Sequence, residues 1–281
     1  MSAVRVVALS AGECLNLEAL TRRGAPWRPH AYPAGFALLL HPRHGPVLFD
    51  TGYTSRVLAS MRRWPGWLYG LVTPVRFTPH QSAAAQLVRR GFTPGDVRHL
   101  IVSHLHADHV GALRDFPAAT FHLDASGWAA LRGLRGMRAV RRAYLPELLP
   151  PDFEGRCQPL QYETAPPGLA PFDQVADVFG DGLVYALPVP GHAPGMIALV
   201  VRTSPGADLN GAGQGLTLLA SDVAWNVDAL RQGGEVHSLA RLAFWNATQE
   251  RLSRQWVRQW LAAHPQARVI VSHDEPEAAH V

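Results

Sequence analysis

The segment Ser103-His104-Leu105-His106-Ala107-Asp108-His109 places three histidines and an aspartate within six positions, directly after the apolar run Leu100-Ile101-Val102. Neutral imidazoles and a carboxylate are the ligands a borderline divalent cation such as zinc takes, and imidazoles this close would repel one another if protonated. Three more residues of these types end apolar runs further along: His192 after Leu187-Pro188-Val189-Pro190-Gly191, Asp222 after Leu218-Leu219-Ala220-Ser221, and His273 after Val269-Ile270-Val271-Ser272. Five imidazoles and two carboxylates exceed the needs of one tetrahedral zinc. They suit two ions that share a carboxylate and a water.

Strands must carry these residues to a common edge. The pattern predicts a hairpin from 36–40 and 47–49 that ends in Asp50-Thr51-Gly52, and later strands over 183–187, 196–201, 216–220 and 268–272. A helix is expected over 82–90, capped by Ser82 and ended by Gly91. Leu252, Trp256 and Trp260 recur every four residues and read as the core face of another helix. Residues 1–9 read as a short strand interrupted by Arg5, without the basic head and long apolar core of a signal peptide. Stretches 165–168 and 204–215 read as loops. Residues 124–163 form a largely helical insertion placed to cap the site. Within it Arg132, Arg135, Arg138, Arg141 and Arg142 read as the solvated face of one helix over Leu131, Leu134, Met137 and Val140.

The 281 residues are 47% hydrophobic and 17% charged, enough for a large core, and a single domain over 1–281 is expected. No apolar run approaches the roughly 18 residues of a membrane span. A net charge of +4, carried by arginine without any lysine, gives no case for a nucleic-acid partner. Cys14 and Cys157 form no paired motif, which speaks against a disulfide framework. The expectation is a cytoplasmic enzyme acting on a small molecule.

On the His104-x-His106-x-Asp108-His109 cluster, Asp50-Thr51-Gly52, Pro190-Gly191-His192 with Gly195, Asp222 and Ser272-His273-Asp274, the chain resembles the metallo-β-lactamase superfamily from about residue 36 to 274. The resemblance implies an α/β fold, a four-layer αββα sandwich with metals at one edge between the sheets. It implies that His104, His106 and His192 hold one divalent ion, that Asp108, His109 and His273 hold a second, and that Asp222 bridges them. Asp50 would orient a ligand. Zinc is the expected metal, with iron or manganese as alternatives. Two such ions bring the pKa of a bridging water toward neutrality and supply a hydroxide, and Asp108 beside it could carry its proton to the leaving group.

Within the superfamily the chain is most similar to N-acyl-homoserine lactonases and related lactone or ester hydrolases, on residues 45–52, on 190–196 and on His273-Asp274. It departs from them at Trp225, where those lactonases usually carry a tyrosine. An indole donates a hydrogen bond but is no phenolic acid. Phosphodiesterase, glyoxalase II-like thioesterase, mononuclear iron persulfide dioxygenase and a ligand-binding protein with little turnover are the alternatives. Residues 61–77, with Trp64, Trp67, Tyr69 and Phe77 among prolines and glycines, read as too irregular for a regular element and as an apolar wall beside the metals. With Trp225 they form the expected substrate pocket, suited to a substrate with an apolar arm. Ser103, Ser221 and Ser272 read as small residues at strand ends.

Overall fold

A computed structural model describes residues 2–275. Its strands are β1 (Arg5–Leu17), β2 (Pro29–His41), β3 (Gly45–Phe49), β4 (Val75–Arg76), β5 (His99–Ile101), β6 (Thr120–Leu123), β7 (Cys157–Pro159), β8 (Glu163–Thr164), β9 (Gln174–Asp177), β10 (Val184–Pro188), β11 (Ile197–Arg202), β12 (Leu216–Leu219) and β13 (Arg268–Ile270). They form a seven-stranded sheet in the order β4-β1-β2-β3-β5-β6-β7 and a six-stranded sheet in the order β13-β12-β11-β10-β9-β8. The β2–β3 hairpin pairs antiparallel, with Leu39 opposite Val47, whereas β3, β5, β6 and β7 run parallel.

Alternation along the strands creates the layers. Leu39, Val47, Phe49 and Ile101 of the first sheet meet Val184, Ala186, Ile197 and Leu199 of the second between the sheets. Their neighbours Leu38, Leu48 and Leu100 point the other way, under Leu87, Val110, Leu113 and Phe153. On the far side, Leu187, Val200 and Leu218 lie under Val257, Trp260 and Leu261 of the helix Ala247–Ala263. A strand buried on both faces needs apolar residues at every position, which is why these segments read as continuous apolar runs. The result is the expected four-layer αββα sandwich.

Several expectations change at the level of elements. The first strand is long, starting at Arg5 and running to Leu17. The predicted helix at 82–90 is Ala83–Val88, with Ser82 accepting from the Ala85 N–H. Residues 61–77 are more regular than their composition implies, since Trp67–Val72 is helical and Val75–Arg76 pairs with β1. The arginine stripe is not one helix. It breaks between Ala125–Leu131 and Gly136–Val140, around Gly133 and a Gly136 at φ +57°. Arg132, Arg135, Arg138 and Arg141 are nevertheless exposed, as a solvated face requires. In the helix Ala247–Ala263 the buried face is Ser253, Val257, Trp260 and Leu261, so Trp260 is core but Leu252 is 43% exposed. A strict four-residue step drifts around a helix of 3.6 residues per turn.

The insertion 124–163 packs as the outer layer of the first sheet, burying Leu131, Tyr144, Leu148 and Phe153, and then adds β7 to the sheet edge. Its start packs against Pro194 and Gly195, just beyond His192, and its Arg142-Ala143 corner reaches the rim of the histidine cluster. The Ala107 N–H donates to the Ala143 carbonyl there, and Arg142 stacks on Trp245. Cys14 and Cys157 are free thiols, each pushed up to about 12 by burial. Among the described residues no helix is long and apolar enough to cross a membrane.

Candidate metal centre

All seven sequence-predicted residues converge at one end of the sandwich. Their donor atoms fall into two groups, His104, His106, His192 and Asp222, and Asp108, His109, His273 and Asp222, each within 4.8 Å. Asp222 belongs to both. Its Oδ1 lies 3.3 Å from His109 Nε2, while Oδ2 lies 3.1 Å from His273 Nε2, 3.3 Å from His192 Nε2 and 3.9 Å from His104 Nε2. Asp108 Oδ2 is 3.5 Å from His109 Nε2 and 3.6 Å from His273 Nε2.

The local sequence explains how each side chain is aimed. Asp50 sits at φ +62°, in the left-handed region that aspartate tolerates better than most residues, and is almost wholly buried. Its Oδ1 accepts the Ser103 N–H and its Oδ2 accepts His109 Nδ1, both at 2.8 Å. Thr51 donates to the His109 carbonyl and accepts from the Ala112 N–H, which locks the turn to the cluster. Gly52, at φ +67°, abuts Ala11 so closely that a Cβ would lie 2.5 Å from the Ala11 methyl. His273 Nδ1 donates to the Pro33 carbonyl at 3.0 Å. His192 is held from below. The Ser253 hydroxyl donates to the Pro190 carbonyl, the Asn246 N–H to that of Gly191 and the Trp245 N–H to that of His192.

Ser103 has more than the filler role its size suggests, because its hydroxyl meets the Nδ1 atoms of both His104 (3.0 Å) and His109 (3.2 Å). Metal-bound imidazoles need such partners on the other ring nitrogen. Nothing in the sequence marks it beyond its place before His104. Tyr53 and Tyr69 were likewise illegible as a pair. Both are buried, their hydroxyls are 3.3 Å apart, and the Asp108 charge reaches each of them.

The electrostatics fit a cation. Burial, with repulsion from neighbouring imidazoles, drives His106 down to about 3 and lowers His104 and His192, so these rings are neutral and offer lone pairs. Burial would also lower His109 and His273, but Asp222 and Asp108 outweigh it and raise both. Those two rings in turn pull the Asp108 carboxyl down to about 2 against its own burial. Buried His104 Nε2, His109 Nε2 and Asp222 Oδ1 have no hydrogen-bond partner among the described residues, although each points into the cluster. Buried polar atoms rarely stay unpaired. A divalent cation satisfies all three, so the donor set fits the metal.

The expected pocket residues divide. Trp225 packs on His273, rings 4.2 Å apart, and edge-on to Tyr32. Tyr69 lies under the cluster with Tyr53, and Phe77 is half-buried against Gly12. Trp64 and Trp67 turn outward, 68% and 41% exposed. At the opposite end of β2, His41, His44 and Asp181 form a third group of ligand types. Arg43 binds the Asp181 carboxylate and the Arg43 N–H donates to His41 Nδ1, while buried His41 Nε2 lies 3.3 Å from Asp181 Oδ2.

Residues 33–204 match the model of the metallo-beta-lactamase superfamily. N-acyl homoserine lactonase AttM of Azorhizobium caulinodans is 29% identical over 252 residues, covering 88% of this chain and 83% of that one. Among solved structures, an N-acyl homoserine lactone hydrolase with N-hexanoyl-L-homoserine at its catalytic metal centre superposes with a TM-score of 0.72 at 19% identity, over 98% of this chain and 94% of the other. AidC, a dizinc quorum-quenching lactonase, gives 0.63 at 14% identity, over 97% and 88%. With its two-sheet architecture and clustered donors, the chain belongs to the metallo-β-lactamase superfamily, whose members bind divalent metal.

Proposed function

We propose that this metallo-hydrolase is of the dinuclear lactonase type and opens lactones or carboxylic esters that carry an apolar arm. The observation that carries the reading is the pair of four-residue groups joined at Asp222. His104, His106 and His192 would hold one ion, Asp108, His109 and His273 the other, and zinc is the favoured metal. When bound, two such ions supply hydroxide near neutral pH and polarise the carbonyl under attack. The chain's own residues do the rest. Asp50 and Ser103 fix the rings. Asp108, whose side chain is 11% exposed at the edge of the cluster, takes a proton and returns it to the departing alkoxide. Trp225 packs tilted on His273 and offers an apolar face and one N–H where lactonases usually carry a phenol. That favours an apolar acyl arm over a small polar substrate. We read the chain as one domain and its substrate as a small molecule.

The test is metal analysis of protein never exposed to chelator, coupled to turnover of N-acyl homoserine lactones of graded chain length, aryl esters, thioesters and a phosphodiester. Two metal ions per chain, with turnover of lactones or esters rising with arm length, is expected. One ion per chain would overturn the dinuclear reading. Activity confined to phosphodiesters would overturn the substrate class.

A further inference from the structure

Exposed large apolar side chains are concentrated on two segments. Of the ten exposed among the described residues, Trp64, Trp67, Leu71 and Val72 lie on the 61–72 segment, and Leu239, Leu242 and Trp245 on the 239–245 loop. Both segments border the metal centre. The inner face of the first carries Tyr69, whose hydroxyl lies 3.3 Å from that of Tyr53 beside the Asp50-Thr51-Gly52 turn, and in the second Phe244 packs 5.4 Å from His192 while the Trp245 N–H bonds the His192 carbonyl. Trp64 is 68% exposed, Val72 72% and Leu242 82%, values at which a side chain contributes nothing to the fold's own core. An exposed apolar cluster of this kind marks a contact surface.

Arginines outnumber acidic residues on this face, where Glu235 is taken up by Arg241. Residues 55–77 contain Arg56, Arg62, Arg63 and Arg76 and no acidic residue, and 125–146 contain five arginines and no acidic residue. Arg56 and Arg76 are paired with Asp115 and Glu13, but exposed Arg62, Arg63, Arg138 and Arg141 make no ion pair among the described residues. The two stretches are tied together by the hydrogen bond from Ser60 to Glu147. Arg142 lies over the Trp245 ring at 4.4 Å, which joins the arginine stretch to the apolar loop. Aromatic and aliphatic side chains rimmed by unpaired arginines are the composition that lies in the interface of an anionic bilayer, with apolar tips in the acyl boundary and guanidiniums at the phosphates.

We propose that this face docks peripherally on an anionic lipid bilayer, so that the metal centre opens onto the membrane surface. Docking needs no bound metal and is independent of the substrate reading. The test is co-sedimentation of the full chain with vesicles of phosphatidylglycerol and phosphatidylcholine, against phosphatidylcholine alone. Binding to the anionic vesicles, weakened by salt and accompanied by a blue shift of tryptophan emission, is expected. Trp64→Ser/Val72→Ser and, separately, Leu242→Ser should each lower the partition about tenfold, since each places a hydroxyl where an apolar side chain entered the boundary. Arg62→Ser/Arg63→Ser should cost roughly fivefold per arginine. Val88→Ser, at an exposed position on another element, should change nothing. Absence of anionic-vesicle binding, or binding unaffected by the Trp64 and Val72 substitutions, overturns the proposal. So does a dimer in sedimentation velocity that those substitutions dissociate while vesicles are ignored, which would assign the face to a second copy of the chain.

Discussion

Replacing Asp50 with Asn tests how the centre is held, because the change is nearly isosteric and removes only acceptor capacity. The carboxylate accepts two hydrogen bonds at 2.8 Å, from the Ser103 N–H and from His109 Nδ1, and is shielded from water. Asparagine also tolerates the backbone at φ +62°, so the main chain has no reason to move. Its amide offers one acceptor. If the NH2 faces His109, Nδ1 must accept, the ring proton moves to Nε2, and the lone pair a metal requires is lost. If the NH2 faces Ser103, two donors oppose each other in a dry site, at a cost of about 1–3 kcal/mol. Loss of such an orienting partner typically weakens metal binding about 10–100-fold. Asp50→Asn should therefore bind zinc about 10–100-fold more weakly in competition with a chelating dye, and the metal-free variant should melt roughly 2–10 °C lower. Zinc affinity within about twofold of the parent, with unchanged melting, would refute the assignment of Asp50 as the group that aims His109.

Asp222→Ala removes the residue common to both donor groups and should abolish most turnover, roughly a hundredfold or more, with metal content measured beside it; full occupancy and activity would refute the bridge. Gly191 sits at φ +130° with its Cα against the start of the helix Ala247–Ala263, where a Cβ would lie 2.0 Å from the Glu250 nitrogen. Gly191→Ala should cost about 2–4 kcal/mol in urea unfolding, and a loss under about 0.5 kcal/mol would show that the loop yields freely. His122, remote from the centre beside His99, is pushed down to about 4 by burial and by the imidazoles of His99 and His44. Below about 6.5 the unfolded chain takes up this proton and the folded chain does not, so stability should fall as pH drops toward 4, by about 3 kcal/mol in total. Metal-free His122→Gln should lose correspondingly less over that window; parallel stability curves would contradict it.

The candidate centre was legible because its residues follow the ends of strands, with Asp108 and His109 on the short helix Ala107–Val110 just beyond one, and strands buried on both faces announce themselves as apolar runs. His192, Asp222 and His273 could be read as companions of His104 for that reason alone. What the sequence concealed depends on side-chain direction. Trp64 and Tyr69 look equivalent in the same segment, yet the helix Trp67–Val72 aims Tyr69 at Tyr53, while Trp64, ahead of that helix, stays in solvent. The arginine stripe kept helical spacing across Gly133 and Gly136, so periodicity alone joined two helices that the backbone separates. Ser103 has no pattern of its own, and its contacts with two rings exist only after the strand end has folded.

The dispersal of the donors along the chain has a consequence for biosynthesis. Four of the seven lie between His104 and His109, whereas Asp222 and His273 emerge from the ribosome more than a hundred residues later. A nascent or denatured chain therefore already carries a short, flexible chelating segment, and an ion captured there favours the unfolded ensemble as well as the native one. Such capture reduces the stabilisation that metal confers on folding. Excess zinc during refolding should then slow recovery, because misplaced ions must be released before the two sheets close around Asp222.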